Sequence, residues 1–149
     1  MAVMDLMQRR GLIGSKEPEG ELYPVGTDLV TKYIGRDDDG KGLFEHGTFN
    51  TGTGEIETEI TGSGYGVSTV FMPVNPRYSY QKTRIADGRA AGRLYFCGFY
   101  DKNYNYISYI AYNSLAVVNL PAFPNEARYI RIATHEVSNN WTIAIVRTA

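Results

Sequence analysis

The stretch LYFCGFYDKNYNYISYIA, residues 94–111, reads as two β-strands joined by a tight polar turn. Aromatic and β-branched side chains crowd both halves, which suits a pleated surface packed on at least one side. Asp101, Lys102 and Asn103 form the reversal, because short polar side chains bond their own backbone two residues on. Tyr95, Tyr100, Tyr104, Tyr106 and Tyr109 fall inside the stretch and Tyr112 just beyond it, half of the chain's 12 tyrosines. No catalytic constellation lies near them. The residues describe a β-domain with an aromatic-rich surface.

On either side of this hairpin the text stays β. Segments 43–50, 55–61, 67–74, 78–84, 127–134 and 141–147 alternate or run apolar over strand lengths, and 92–101 and 106–112 bracket the hairpin itself. Between them lie TGTG, GSGYG, NP, DKN, LPAFPNE and EVSNN, each rich in turn-forming residues. About eight short strands without a long helix predict a sandwich of mostly antiparallel strands. Period two sets Ile130 and Ile132 on one face of their strand and Tyr129 and Arg131 on the other. By the same rule Trp141, Ile143 and Ile145 lie together, and Tyr95 shares a face with Cys97 and Phe99.

Before residue 43 the pattern changes. Met1, Met4 and Met7 recur at helical spacing, but Gly11 and Gly14 interrupt the pattern after about two turns, too few for a stable isolated helix. Residues 1–26 read as an extended or short-helical arm without a core of its own. Met4, Leu6, Met7, Arg9, Arg10, Leu12 and Ile13 are its candidate docking residues; the alternative is a terminus with no role. Residues 27–42 are a connecting segment, either a turn of helix or a short strand, followed by the loop GRDDDGKG. An EF-hand would need a glutamate at the twelfth position from Asp37, where Thr48 stands, so the three aspartates read as a solvated turn rather than a metal site.

Composition narrows the function further. The chain has 149 residues, enough for one domain with a real core. A net charge of −1 supplies no basic field for a nucleic acid. No run reaches the length of a membrane span, and Asp5, Arg9 and Arg10 break the apolar stretch that a signal peptide requires. Synthesis in the cytoplasm is the expectation. The single cysteine, Cys97, sits mid-strand as a buried thiol. His46 and His135 are the only histidines, His135 is expected in a loop, and neither belongs to a nucleophile or zinc motif. GSGYG has no helix after it, as a phosphate loop would. Glu55, Glu57 and Glu59 alternate as a charged strand face rather than an acid–base pair. The expectation is a protein without catalytic activity, cofactor or metal.

Several motifs recur in a fixed order: Phe44 with Gly47, Thr51-Gly52, Met72-Pro73-Val74 with Pro76, Tyr78 with Tyr80, Phe99-Tyr100-Asp101 with Asn103, Ile107-Ser108, and Pro124 through Ile132. This order, over residues 43–149, resembles the jelly-roll, carbohydrate-binding-like module found in structural proteins of phages and prophages of Gram-positive gut bacteria. The chain departs from that pattern at Arg77, where glycine is usual, and at Ser68 and Thr69, where relatives often carry an exposed arginine. The resemblance implies a jelly-roll fold and a non-catalytic place on the virion surface, as a head-fibre, decoration or tail component. It also implies capsid or tail partners bound through the arm, and a homotrimer. Two functions then compete. In one the domain binds host-surface or mucosal glycans; in the other it is a decoration or protein-interaction module with no sugar ligand. For a glycan, Tyr95, Tyr104, Tyr106, Tyr109 and Tyr112 offer rings for the apolar face of a pyranose, while Asn103, Asn105 and Arg131 offer planar donors at its rim. Tyr129 beside Arg131 is the sharpest candidate pair.

Overall fold

Three long strands form the spine: β6 (Arg93–Tyr100), β7 (Tyr106–Tyr112) and β9 (Tyr129–His135). The computed structural model describes residues 21–58, 64–84, 93–135 and 141–149. The docking residues assigned to the arm, Met4 through Ile13, lie outside the described residues. Around the spine are β1 (Glu45–Phe49), β2 (Ile56–Thr58), β3 (Tyr65–Val67), β4 (Met72–Pro73), β5 (Tyr80–Arg84), β8 (Val118–Asn119) and β10 (Ile143–Arg147). All pairings are antiparallel. One sheet of seven strands runs β2-β1-β3-β9-β6-β7, with β4 also on β9, and a second of three runs β10-β5-β8.

Seven of the eight expected strands are present over most of their described length. The segment 67–74 is strand only at Val67 and Met72–Pro73: β3 begins at Tyr65, within the GSGYG run expected as a turn, and β4 is separate; β8 is additional and too short to leave a periodicity. The inner faces of the two sheets meet in one core. Leu94, Cys97, Phe99, Ile130 and Ile132 from the larger sheet pack against Tyr80, Ile143 and Ile145 from the smaller, as in an all-β sandwich. Burial pushes the Cys97 thiol up, so it stays protonated.

One face assignment changes. Leu94 pairs with Thr134 and Phe96 with Ala133, so Tyr95 is an extra residue in β6. This bulge reverses the alternation: Leu94, Cys97 and Phe99 point into the core, whereas Tyr95 turns to the other face beside Tyr65 and His135. His135, expected in a loop, is the last residue of β9, with its ring 4.6 Å from that of Tyr65.

The segment before residue 43 is more integrated than its composition suggests. Tyr23, grouped with the arm, is buried in the core. A relay of hydrogen bonds holds it: the Asn75 amide donates to Tyr80 Oη at 3.3 Å, the Tyr80 and Tyr23 hydroxyls meet at 2.7 Å, and Tyr23 donates to the Pro73 carbonyl at 2.8 Å. Burial pushes Tyr80 up to about 12 and Tyr23 higher still, so both remain neutral donors. Leu29 and Val30 are also fully buried, at the start of a five-residue π turn, Val30–Ile34, closed by Gly35 N–H donating to the Val30 carbonyl. Asp28 ties this turn to β10, accepting from the amides of Val30 and Ile145 and from Arg36 at 2.6 Å. Asp37, first of the three aspartates, accepts from the amides of Asp39 and Lys41 and so shapes its own turn.

Candidate functional site

The outward face of the larger sheet is not a bare surface. Phe49 of β1 stacks on Phe96 of β6 with ring centroids 4.2 Å apart. Along the sheet these strands are three steps apart, which in a flat sheet would separate them by roughly 14 Å. The sheet therefore curls, and this face is its concave side. Phe49, Val67, Phe96 and Ala133 form a second small core there, with Ile56 and Tyr106 against it.

The turn between β1 and β2, residues 50–55, closes over this core. Tyr106 Oη donates to the Thr51 carbonyl at 2.5 Å, and the Gly54 carbonyl accepts from Tyr100 Oη at 2.6 Å and from Arg131 at 3.1 Å. Gly54 has a φ of +72°, and a Cβ there would run into the Tyr106 ring. Its glycine is required both by the backbone and by the space.

Beside this roof lies an aromatic corner. The Arg131 guanidinium sits 4.1 Å from the Phe71 ring centroid and 4.7 Å from that of Tyr100. Phe71 in turn packs against Tyr104 at 4.7 Å, and Tyr104 stacks on Tyr129 at 4.7 Å with the planes 26° apart. Tyr104 is 52% exposed. Its position is set by the turn between β6 and β7. The Asp101 carboxylate accepts from the amides of Asn103 at 2.8 Å and Asn105 at 2.9 Å, and the Tyr104 amide donates to the Asp101 carbonyl. The Asn105 amide, aided by that of Asn103, holds the Asp101 carboxyl below its ordinary range. This closure leaves Tyr104 at a φ of +67°, the one non-glycine residue in the left-handed region among the described residues. A bulky residue there is strained, and such strain is retained where the side chain is needed in that place.

The predicted ligand residues divide into groups. Tyr104, Tyr129 and Arg131 come together at the corner, joined by Phe71 and Tyr100, which pattern reading left as ordinary strand residues. Asn103 and Asn105 flank them on the exposed turn. Tyr109 and Tyr106 lie further along the same face, with Phe96 5.3 Å from Tyr109. Tyr95 stands at the opposite end of the face with Tyr65. Tyr112 does not belong with them: it packs against the main core, on the inner side of β7. Tyr129 and Arg131 do oppose Ile130 and Ile132 as period two requires. Arg131, however, is enclosed by rings rather than held out to solvent, and its Nε is buried without a hydrogen-bond partner. Three tyrosines on this face remain well exposed: Tyr95, Tyr104 and Tyr109.

No protein-family model matches the chain, and comparisons with curated proteins and with solved structures find no match.

Proposed function

We propose that this chain is a non-catalytic binding module that engages a glycan through its concave aromatic face, with Tyr104 and Tyr129 as the stacking platform. The observation that carries this reading is Tyr104, an exposed ring kept in a strained left-handed conformation and stacked on Tyr129. A pyranose offers an apolar face to such rings, and the carboxamides of Asn103 and Asn105 lie within the same turn for its hydroxyls. Arg131 acts here as a positioning residue, setting Phe71 and Tyr100 behind the platform. Both histidines serve packing: His46 meets Trp141 edge-on at 5.2 Å and His135 meets Tyr65. The jelly-roll resemblance extends the proposal to a module displayed on a phage particle, with residues before 21 reaching a capsid or tail protein.

The test is a glycan array with wild type and Tyr104→Ala. Wild type binds a defined glycan class, and the variant loses at least about tenfold in affinity while its thermal midpoint stays close to wild type. Failure of wild type to bind any glycan, or unchanged binding by Tyr104→Ala, rejects the site. Arg131→Ala is unsuitable for this purpose, because it would also release the Gly54 roof.

A further inference from the structure

Among the described residues the two sheets have five outer strands, and all but one are protected; β4 is two residues long and contains Pro73. The outer side of β10 is covered by residues 26–28, through Gly26 N–H donating to the Arg147 carbonyl, Arg147 N–H to the Thr27 carbonyl, and a bridge between Asp28 and Val146. β2, described over Ile56–Thr58, carries Glu57, with Glu55 just before it. β8 has two residues, with Pro121 shortly after. β7 differs. It has seven residues, holds no charge and no proline, and among the described residues no strand pairs with its outer side. Long uncharged edges are the ones that recruit another strand, and proteins that must stay monomeric guard them with lysine, proline or a bulge. The β6–β7 ladder has two register shifts: one at Ile107 in β7 itself, where Ser108 pairs with Phe99 but Tyr106 with Tyr100, and one opposite residues 110–112, where the extra residue lies in β6 and leaves β7 unbroken. The regular edge is therefore residues 108–112.

The lack of charge extends well past the strand. From Asn103 to Asn125 the sequence contains no Asp, Glu, Lys or Arg, in a chain that is 21% charged, and this is its longest such run. Leu120 and Phe123 of this run are in the core, but its β7 flank is open: Tyr109, Leu115 and Val117 are 45%, 42% and 54% exposed, and Ala111 is exposed between them.

We infer that β7 is a self-association edge, and that its occupant is the β7 strand of a second copy of this chain. A partner selected by charge would leave a complementary charge on the strip, and the strip has none. A patch that must face its own copy across a two-fold axis benefits from that same absence, since any charge near the axis would meet itself. Antiparallel pairing about Ile110 sets each Tyr109 ring against the small Ala111 of the partner subunit. Pairs aligned this way continue the sheet and keep both concave faces on the same side. The contact is separate from the proposed glycan platform, because Tyr104 and Tyr129 lie beyond the regular edge.

The test is the mass of the full chain by light scattering over a concentration series. Wild type is a dimer, Ala111→Lys weakens association by at least about tenfold through like charges on either side of the axis, and Ala111→Ser leaves it intact. Hydrogen exchange of wild type gives an independent reading: amides within 108–112 gain protection as concentration rises, and those of β2 do not. A monomer at every concentration, a trimer, a dimer unaffected by Ala111→Lys, or a monomer that instead takes up a strand of another protein overturns the inference.

Discussion

Tyr104 and Lys82 each hold a conformation or an environment that their residue type disfavours. For Tyr104 the cost is backbone strain of about 1 kcal/mol in the left-handed region. Tyr104→Gly and Tyr104→Ala both remove the ring and its stacking on Tyr129, but only glycine relaxes the backbone. The glycine variant should therefore exceed the alanine variant by about 1 kcal/mol in urea unfolding. Lys82 points into the sandwich from β5, fully buried, with its ammonium donating to the Ser114 carbonyl. Burial, reinforced by the charge of Arg93, lowers its pKa from 10.5. A lysine with a lowered folded pKa penalises the fold while protonated. Between the lowered value and the ordinary one the unfolded chain holds more protons, so stability rises with pH across that window. Lys82→Met should gain about 1 kcal/mol at neutral pH, and its advantage should shrink as pH climbs toward 10.5; an advantage that does not change with pH would refute this account. The lysine was legible as a strand residue, but its inward direction was not, because Lys82 shares its face with Tyr80, and 78–84 carries polar residues on both faces.

Among the elements, the turn over the concave face is the one most exposed to a single change. Gly54→Ala must distort the backbone at a positive φ and displace the Tyr106 ring, with a cost of about 2 kcal/mol or more. The same variant should expose Phe49 and Phe96, detectable as new binding of a hydrophobic dye before global unfolding. The strands that contribute to this region were readable from alternation and turn chemistry, since a half-buried strand advertises its period. Their curvature was not readable. It depends on Phe49 meeting Phe96 across two intervening strands, a contact between residues 47 positions apart in the chain. Nor was the bulge at Tyr95, because an inserted residue looks like any other until its neighbours in β9 are known. The aromatic corner was half legible for the same reason. Tyr104, Tyr129 and Arg131 stood out by residue type, whereas Phe71 enters it only because β4 pairs with β9.

For the whole molecule, the folded unit includes Leu22 and Tyr23 and so reaches well before residue 27. Tyr23 contributes a buried ring and one hydroxyl of the relay through Tyr80, so a chain beginning at 27 should be about 3 kcal/mol less stable than one beginning at 21. Denaturation followed by Trp141 reports this well, since that indole is buried and donates to the Gly64 carbonyl at 3.0 Å. Composition had suggested otherwise, because a polar, proline-containing segment gives no sign that one tyrosine within it reaches the core. The same segment has a mechanical consequence. Residues 26–28 run antiparallel along the end of β10, and the Glu21 carboxylate meets Arg147 at 2.7 Å just outside them. Tension applied between residues 21 and 149 would load these hydrogen bonds one after another, from the outside inward, rather than all together in shear. A module tethered at both of those points would yield at low force, whereas one pulled through the corner at Tyr104 would have to rupture the β6 and β9 ladders as a unit.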